Sequence, residues 1–359
     1  MTDKQQLIDQ VRAAYESGTA MTIRGGGSKD FLVDAKSHEQ NICLEQYRGI
    51  ISYQPSELTI TALAGTPLSD IQHTLRESGQ MLAFEPPAFG DSATIGGTIA
   101  CSLSGPRRPY SGAARDFVLG SKIINGKGEE LRFGGEVMKN VAGYDLSRVM
   151  VGAYGTLGVL LEVSLKVLPL AKQEQSFATE LTYVEAFKQL HKWVAQGQPV
   201  SAACFYQDRL HIRLSGAKQS VENALVEMGR AQKINDLDAT FWQLLNEQQL
   251  DFFQSSKTLW RISLPAAADA IQLPGEQLID WGGALRWLYT DSNSTEVRAE
   301  AERLGGHAQL FRTSANVDNS SNTLRQHPIS QGLFKLHQGI KQAMDPKGIL
   351  NPNYLFPEL

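Results

Sequence analysis

Ile23-Arg-Gly-Gly-Gly-Ser-Lys29 and Ala93-Thr-Ile-Gly-Gly-Thr-Ile99 decide the reading of this chain. Lys139-Asn-Val-Ala-Gly-Tyr-Asp-Leu146 and Gly155-Thr-Leu-Gly-Val159 follow in the same half. Three consecutive glycines at 25–27 leave the backbone free to take positive φ and to approach a ligand closely. Successive N–H groups in such a loop converge on a concave anion site, and a following helix N-terminus adds its dipole. Two such loops suit the two phosphates of one dinucleotide. Tight turns in a glycine-rich fold are the alternative that spacing alone leaves open. The G-x-G-x-x-G fingerprint is absent, since Gly152-Ala-Tyr-Gly155-Thr-Leu-Gly158 has a different spacing. A G-x-x-x-x-G-K-[ST] phosphate loop fails as well, because Lys29 follows Ser28 and precedes Asp30.

Taken in order, these segments resemble the flavoprotein family named after vanillyl-alcohol oxidase and p-cresol methylhydroxylase (PCMH). The likeness covers residues 18–170 and returns in Asp345-Pro-Lys-Gly-Ile-Leu-Asn-Pro352. Four further stretches are similar to the E-type FAD-binding subunits of bacterial glycolate oxidases. They are Met138-Lys-Asn-Val-Ala-Gly-Tyr-Asp-Leu-Ser-Arg148, Leu259-Trp-Arg-Ile-Ser-Leu-Pro265, Asp280-Trp-Gly-Gly-Ala-Leu-Arg-Trp-Leu288 and Gly305-Gly-His-Ala-Gln-Leu-Phe-Arg312. The resemblance implies an α+β fold: a PCMH-type two-subdomain FAD-binding domain over 1–170, an antiparallel α+β cap domain over 171–330, and a tail, 331–359, returning to the FAD domain.

It also implies FAD and a set of residues for it. Arg24, Gly25, Gly26, Gly27, Ser28 and Lys29 match the first pyrophosphate loop, and Ala93, Thr94, Ile95, Gly96 and Gly97 the second. Thr156, Gly158 and Val159 match the segment whose backbone meets the adenine half, although core strand residues would look the same. Asn140, Gly143 and Tyr144 match the flavin and substrate side, Asn351 the tail's contribution. For Tyr144 and Asp145, closing a turn is an equal alternative. Arg107, Arg108 and Arg115 stand near the second loop and would touch phosphate, a partner, or solvent. Relatives that tether FAD through histidine carry it just after the first glycine run. Ser28 and Lys29 stand there instead, so a non-covalent flavin is expected.

Composition bounds the rest. The chain has 359 residues, 42% hydrophobic and 20% charged, with net charge −4. That suits two globular domains and carries no nucleic-acid footprint. Without a basic, apolar leader or an 18-residue apolar run, the expectation is a soluble cytoplasmic protein. Cys43, Cys101 and Cys204 are isolated and form no C-x-x-C, so neither an iron–sulfur cluster nor a metal site is expected in this chain.

Periodicity predicts a helix over 4–17, strands over 21–23, 50–53 and 58–62, and a helix from Pro67 to Glu77 capped by Thr66. It further predicts a short helix over 98–103 and a hairpin of 116–124 with 130–133 around Asn125-Gly126. Residues 159–168 read as a strand with one buried face. Beyond 172, helices over 184–194 and 221–233 alternate with strands over 202–206, 210–214, 260–264, 277–281, 285–289 and 308–311, an antiparallel sheet with helices on one face.

On the substrate side the chain departs from self-sufficient relatives, which end their cap in His-x-Gly-Asp-Gly-Asn-x-His. Here Gly306-His307-Ala-Gln-Leu-Phe-Arg312 offers one histidine, the candidate base, and Met138 stands where an arginine is expected. Trp281, Arg286 and Trp287 form an aromatic and cationic group that would face the flavin, a neighbouring subunit or the core. The resemblance therefore implies an FAD-carrying subunit of a 2-hydroxy-acid, chiefly glycolate, oxidase complex. Its partners would be a related FAD-containing D subunit that meets the substrate and an iron–sulfur F subunit, with peripheral membrane association through them. A self-sufficient flavin dehydrogenase and a non-catalytic assembly subunit are the alternatives.

Overall fold

Leu7, Ile8, Val11 and Ala14 bury one stripe of the helix Lys4–Ser17, and left-handed Gly18 (φ 70°) ends it by donating to Ala14 and Tyr15. The computed structural model describes residues 3–33, 40–135, 146–231, 235–238, 240–314 and 324–357. They divide into two units, one of 1–104, 112–170 and 328–359, the other of 105–111 and 171–327.

In the first unit, β1 (Met21–Arg24) and β2 (Gln40–Cys43) pair in parallel. A five-stranded antiparallel sheet is built from β3 (Ile50–Gln54), β4 (Thr59–Leu63), β6 (Val118–Ile124), β7 (Glu130–Gly134) and β8 (Val159–Lys166), in the order β3-β4-β8-β6-β7. Short β5 (Gln80–Met81) and β9 (Leu168–Pro169) pair beside it. The hairpin turns at Asn125, whose carboxamide oxygen accepts from Lys127 N and Glu129 N. The tail lies along β1: Met21 N–H donates to Ile349 at 2.8 Å, and Asn351 N–H to Met21 at 3.1 Å.

Three local expectations need correction. β8 has both faces buried because it is the central strand; even its Ser164 is interior, sharing a 2.8 Å hydrogen bond with Thr61. Thr66 does not cap the second helix, which spans Leu68–Glu77. Its hydroxyl is taken by Gly49 N–H and the Leu63 carbonyl, and Pro67 stands at the cap. The short helix is Ile95–Cys101, three residues earlier than predicted, because the Thr94 hydroxyl accepts from Gly97 N–H at 3.2 Å. Gly96 and Gly97 thus sit in a first turn rather than a loop.

The second unit is an eight-stranded antiparallel sheet. Its strands are β10 (Gln173–Glu180), β11 (Val200–Tyr206), β12 (Arg209–Gly216), β13 (Asn235–Asp236), β14 (Leu259–Ser263), β15 (Glu276–Asp280), β16 (Leu285–Tyr289) and β17 (His307–Arg312), in the order β13-β10-β12-β11-β15-β16-β14-β17. The helices Tyr183–Ala195, Lys218–Ala231 and Ser294–Arg303 cover one face. The other face is covered too, against expectation. There the helix Thr240–Asn246 sets Phe241 flat on His211 (centroids 4.3 Å apart), and Trp242 Nε1 donates to Ser176 Oγ at 2.8 Å. Residues 105–111 belong here because Arg107 bridges to Glu174 at 2.7 Å and Trp281 Nε1 donates to the Gly105 carbonyl at 2.9 Å.

Burial pushes the pKa of His211 down to about 4, with Arg209 adding to the effect. Unfolded, that imidazole takes its proton near pH 6.5; folded, it does so only near 4. Its share of stability is therefore complete above pH 6.5 and lost as pH falls toward 4, up to about 3 kcal/mol. Urea unfolding at pH 7, 6 and 5 is expected to show a steeper acid loss for the wild type than for His211→Asn.

Candidate functional site

β1 delivers the chain into the triple glycine, and the second glycine segment lies directly beneath. A Cβ on Gly26 would stand 1.6 Å from the Ser92 carbonyl oxygen, and one on Gly25 2.4 Å from Thr94 Oγ1. Of the three, only Gly27 has positive φ, +74°. Glycine is thus demanded at 25 and 26 by close approach and at 27 by conformation. Among the described residues, no protein acceptor takes the N–H groups of Gly25, Gly26, Gly27 or Ser28. The loop is bounded by an Arg24–Asp30 ion pair at 2.6 Å. Lys29, 7% exposed, donates to Ala88 O at 3.2 Å and Ser28 Oγ at 3.3 Å. Unpaired backbone donors beside two cationic side chains are what a pyrophosphate needs, at roughly 1.5–3 kcal/mol for each hydrogen bond to a charged group.

These loops line a cavity of ≈ 660 Å³, within the size range of cofactor sites. Of the residues expected at the cofactor, Arg24, Gly25, Gly26, Gly27, Ser28, Lys29, Thr94, Gly96, Gly97, Gly158 and Asn351 line it. Ala93, Ile95, Thr156 and Val159 are buried behind the wall and are not among its lining residues. Ala93 O accepts from Leu68 N–H, and the Thr156 hydroxyl donates to Ala153 O at 2.7 Å, so these residues shape the loops from within. Asn140, Gly143 and Tyr144, with Met138 and Asp145, lie outside the described residues.

Sequence reasoning missed the rest of the lining, notably Tyr154, Ala100, Cys101, Tyr354 and the end of β2 from Asn41 to Leu44. Tyr154 (φ +52°) and Gly155 (φ +73°) form a left-handed pair; a glycine followed by Thr-Leu-Gly was the available signal. Asn351 fastens that turn to β1: its Oδ1 accepts from Ile23 N–H at 2.7 Å and its Nδ2 donates to Tyr154 O at 2.7 Å.

The remaining candidates sit in the second unit. His307 is on edge strand β17, opposite Ser263 of β14, and does not line the cavity. The side chain is exposed on that edge, and its pKa is lowered by partial desolvation and then by Arg261, His327 and Arg108. Arg108 and Arg261 lie over the Trp281 ring, 4.2 and 5.1 Å from its centroid. Trp281 itself holds φ +54°, a costly conformation for a bulky residue, fixed by its N–H donating to Asp280 Oδ1 at 2.7 Å. Trp281, Arg286 and Trp287 are not one cluster. Arg286 is fully buried on the helix-covered face, donating to Gly283 O and Tyr183 Oη, while Trp287 on the other face meets Phe253 and Phe311. Arg107 is paired with Glu174, and Arg115 is exposed.

Loops, cavity and cap sheet define a two-unit FAD-binding flavoprotein, and residues 1–134 match the family described as FAD binding domain. Alkyldihydroxyacetonephosphate synthase has a similar structure (TM-score 0.68, 97% of this chain and 74% of that one) at 14% identity, which establishes the fold alone. Glycolate oxidase subunit GlcD of Bacillus subtilis (strain 168) is 29% identical over 45% of this chain and 34% of its own length. Glycolate oxidase subunit GlcE of Escherichia coli (strain K12) is 48% identical over 99% of this chain and 98% of that relative. The chain belongs to the family of glycolate oxidase subunit GlcE.

Two glycine substitutions separate fold from cofactor. Gly26→Ala forces the two loops apart, so loss of FAD binding and a lower melting temperature are expected. A Cβ on Gly97 meets only Thr94 Oγ1, at 3.2 Å. Gly97→Ala is expected to keep the wild-type melting temperature without ligand and to change FAD affinity alone, read by flavin fluorescence titration.

Proposed function

We propose that this chain is the FAD-bearing subunit of a heteromeric glycolate oxidase, and that a related flavin subunit carries out the substrate step. The observation that carries the reading is the pair of touching glycine loops with unpaired N–H donors, in a chain 48% identical to a glycolate oxidase subunit. It is an FAD-dependent oxidoreductase subunit. Bound FAD would supply a two-electron acceptor that can pass electrons on singly. The protein's own part is to seat the pyrophosphate on Gly25–Ser28 N–H groups, with Arg24 and Lys29 offsetting its charge, and to hold the site through Asn351.

The likeness to GlcD supports a D-type partner. An iron–sulfur F-type partner completes the proposal: Cys43 is exposed, Cys204 buried, and none belongs to a C-x-x-C pair able to hold a cluster here. Among the described residues no helix is long and apolar enough to cross a membrane. We place the chain in the cytoplasm, reaching a membrane only through partners. His307, followed by Ala-Gln-Leu rather than the His-x-Gly-Asp pattern, is the base only under the self-sufficient reading.

Acid precipitation of the purified chain is expected to release all flavin to the supernatant, since Ser28 and Lys29 offer no tether. Anaerobic mixing with millimolar glycolate, D-lactate or L-lactate is expected to leave the oxidised flavin band unbleached until the partner subunits are added. Rapid bleaching by the chain alone, abolished in His307→Ala, would favour a self-sufficient dehydrogenase instead.

A further inference from the structure

A buried ion pair stands behind the cofactor loops. Lys341, near the end of the helix Gln331–Met344, and Asp345, just past it, have side chains 8% and 0% exposed and meet at 2.7 Å. The Lys341 ammonium uses all three protons: on Asp345 Oδ2, on Thr156 O at 2.8 Å, and on Leu350 O at 3.0 Å. The Asp345 carboxylate accepts from Ile349 N–H at 3.1 Å and Leu350 N–H at 2.8 Å as well. Every charged atom of the pair therefore has a hydrogen-bond partner in its setting. Thr156 lies between Gly155 and Gly158, which line the cavity, and Leu350 precedes Asn351, which spans Ile23 and Tyr154. One ammonium thus ties the tail to Thr156 on one side of the wall, while the tail's Asn351 reaches β1 on the other.

We infer that Lys341 and Asp345 are positioning residues for FAD, and that docking of the 345–351 tail and binding of the cofactor are one coupled event. The inference rests on the FAD reading above. Neither residue lines the cavity, so the pair acts through the carbonyls it holds. With the pair intact, the Tyr154–Gly155 turn and the first glycine loop are held apart at a fixed width by Asn351. With the pair broken, the tail keeps its backbone bonds to Met21 but loses the tie from Thr156 to Leu350, so the cofactor itself must supply part of the ordering of the wall, which lowers affinity. By reciprocity, bound FAD must tighten the tail to the same degree that the tail tightens FAD.

The test uses the full-length apo chain and FAD, followed by quenching of flavin fluorescence. Lys341→Met leaves an uncompensated buried carboxylate, so it is compared with the charge-neutral combination Lys341→Met plus Asp345→Asn. Leu75→Ala, a core change in the helix Leu68–Glu77 away from the cavity lining, serves as the control for destabilisation alone. The expected result is an FAD Kd raised about tenfold or more in both lysine variants. Leu75→Ala is expected to lower the urea midpoint and keep the wild-type Kd. In the wild type, FAD is expected to slow amide exchange across residues 345–351. A folded charge-neutral variant with wild-type Kd overturns the inference, as does tail exchange that FAD leaves unchanged. A wild-type chain that quenches no flavin at all defeats the cofactor reading itself, a different and distinguishable failure.

Discussion

Two backbone segments, 66 residues apart in sequence, touch where Gly26 meets the Ser92 carbonyl, and that approach leaves no room for a single carbon atom. The arrangement of the FAD unit follows from it. β1 must end where the contact begins, and the helix Ile95–Cys101 must start just beyond, which is why Thr94 caps it and Gly96 presses on Ala64. Among the described residues, no protein acceptor takes the N–H groups of 25–28. Gly25–Ser28 are partly exposed where they line the cavity, so their donors are open to a ligand from that side. The contact that demands glycine at 25 and 26 thus also shapes the cavity wall.

The site was legible where chemistry leaves a compositional mark. Runs of glycine announce close approach and positive φ, so 25–27 and 96–97 could be read directly, and the cavity is lined by them. The contributions of Tyr154, Tyr354 and the end of β2 could not be read. Their place depends on which strand lies beside β1, a tertiary fact with no local signature. Ala93, Ile95, Thr156 and Val159 show the converse. They share a motif with lining residues but alternate inward, and a sequence segment does not reveal which of its atoms face a ligand.

Fold features were legible in proportion to their periodicity. The stripe Leu7, Ile8, Val11, Ala14 has only one helical solution, and the Asn125 hairpin is set by turn chemistry. β8 misled because Glu162, Ser164 and Lys166 look like a solvent face. In the structure Ser164 is satisfied by Thr61, and Glu162 by Lys122 at 2.6 Å, so a polar alternation persists inside a central strand. The covered second face of the cap sheet was invisible for a different reason. Part of its cover is a seven-residue helix whose hold comes from Phe241 on His211 and Trp242 on Ser176, contacts that no short-range pattern encodes.

Order along the chain imposes a last consequence. Asn351 must reach back 328 residues to Ile23, and Lys341 must reach back 185 to Thr156, before the cofactor wall is complete. Loop closure over such separations costs entropy that grows only slowly with length, so the equilibrium tolerates it, while the rate of forming contacts between distant segments does not. A buried ion pair is a weak source of net stability, because desolvation offsets its attraction, yet losing one partner costs about 3–5 kcal/mol. Lys341 and Asp345 therefore add little depth to the folded state and much penalty to any state in which the tail is docked out of register. That asymmetry suits a joint that closes in one way, with Asn351 of the C-terminal segment joining β1 to the Tyr154–Gly155 turn.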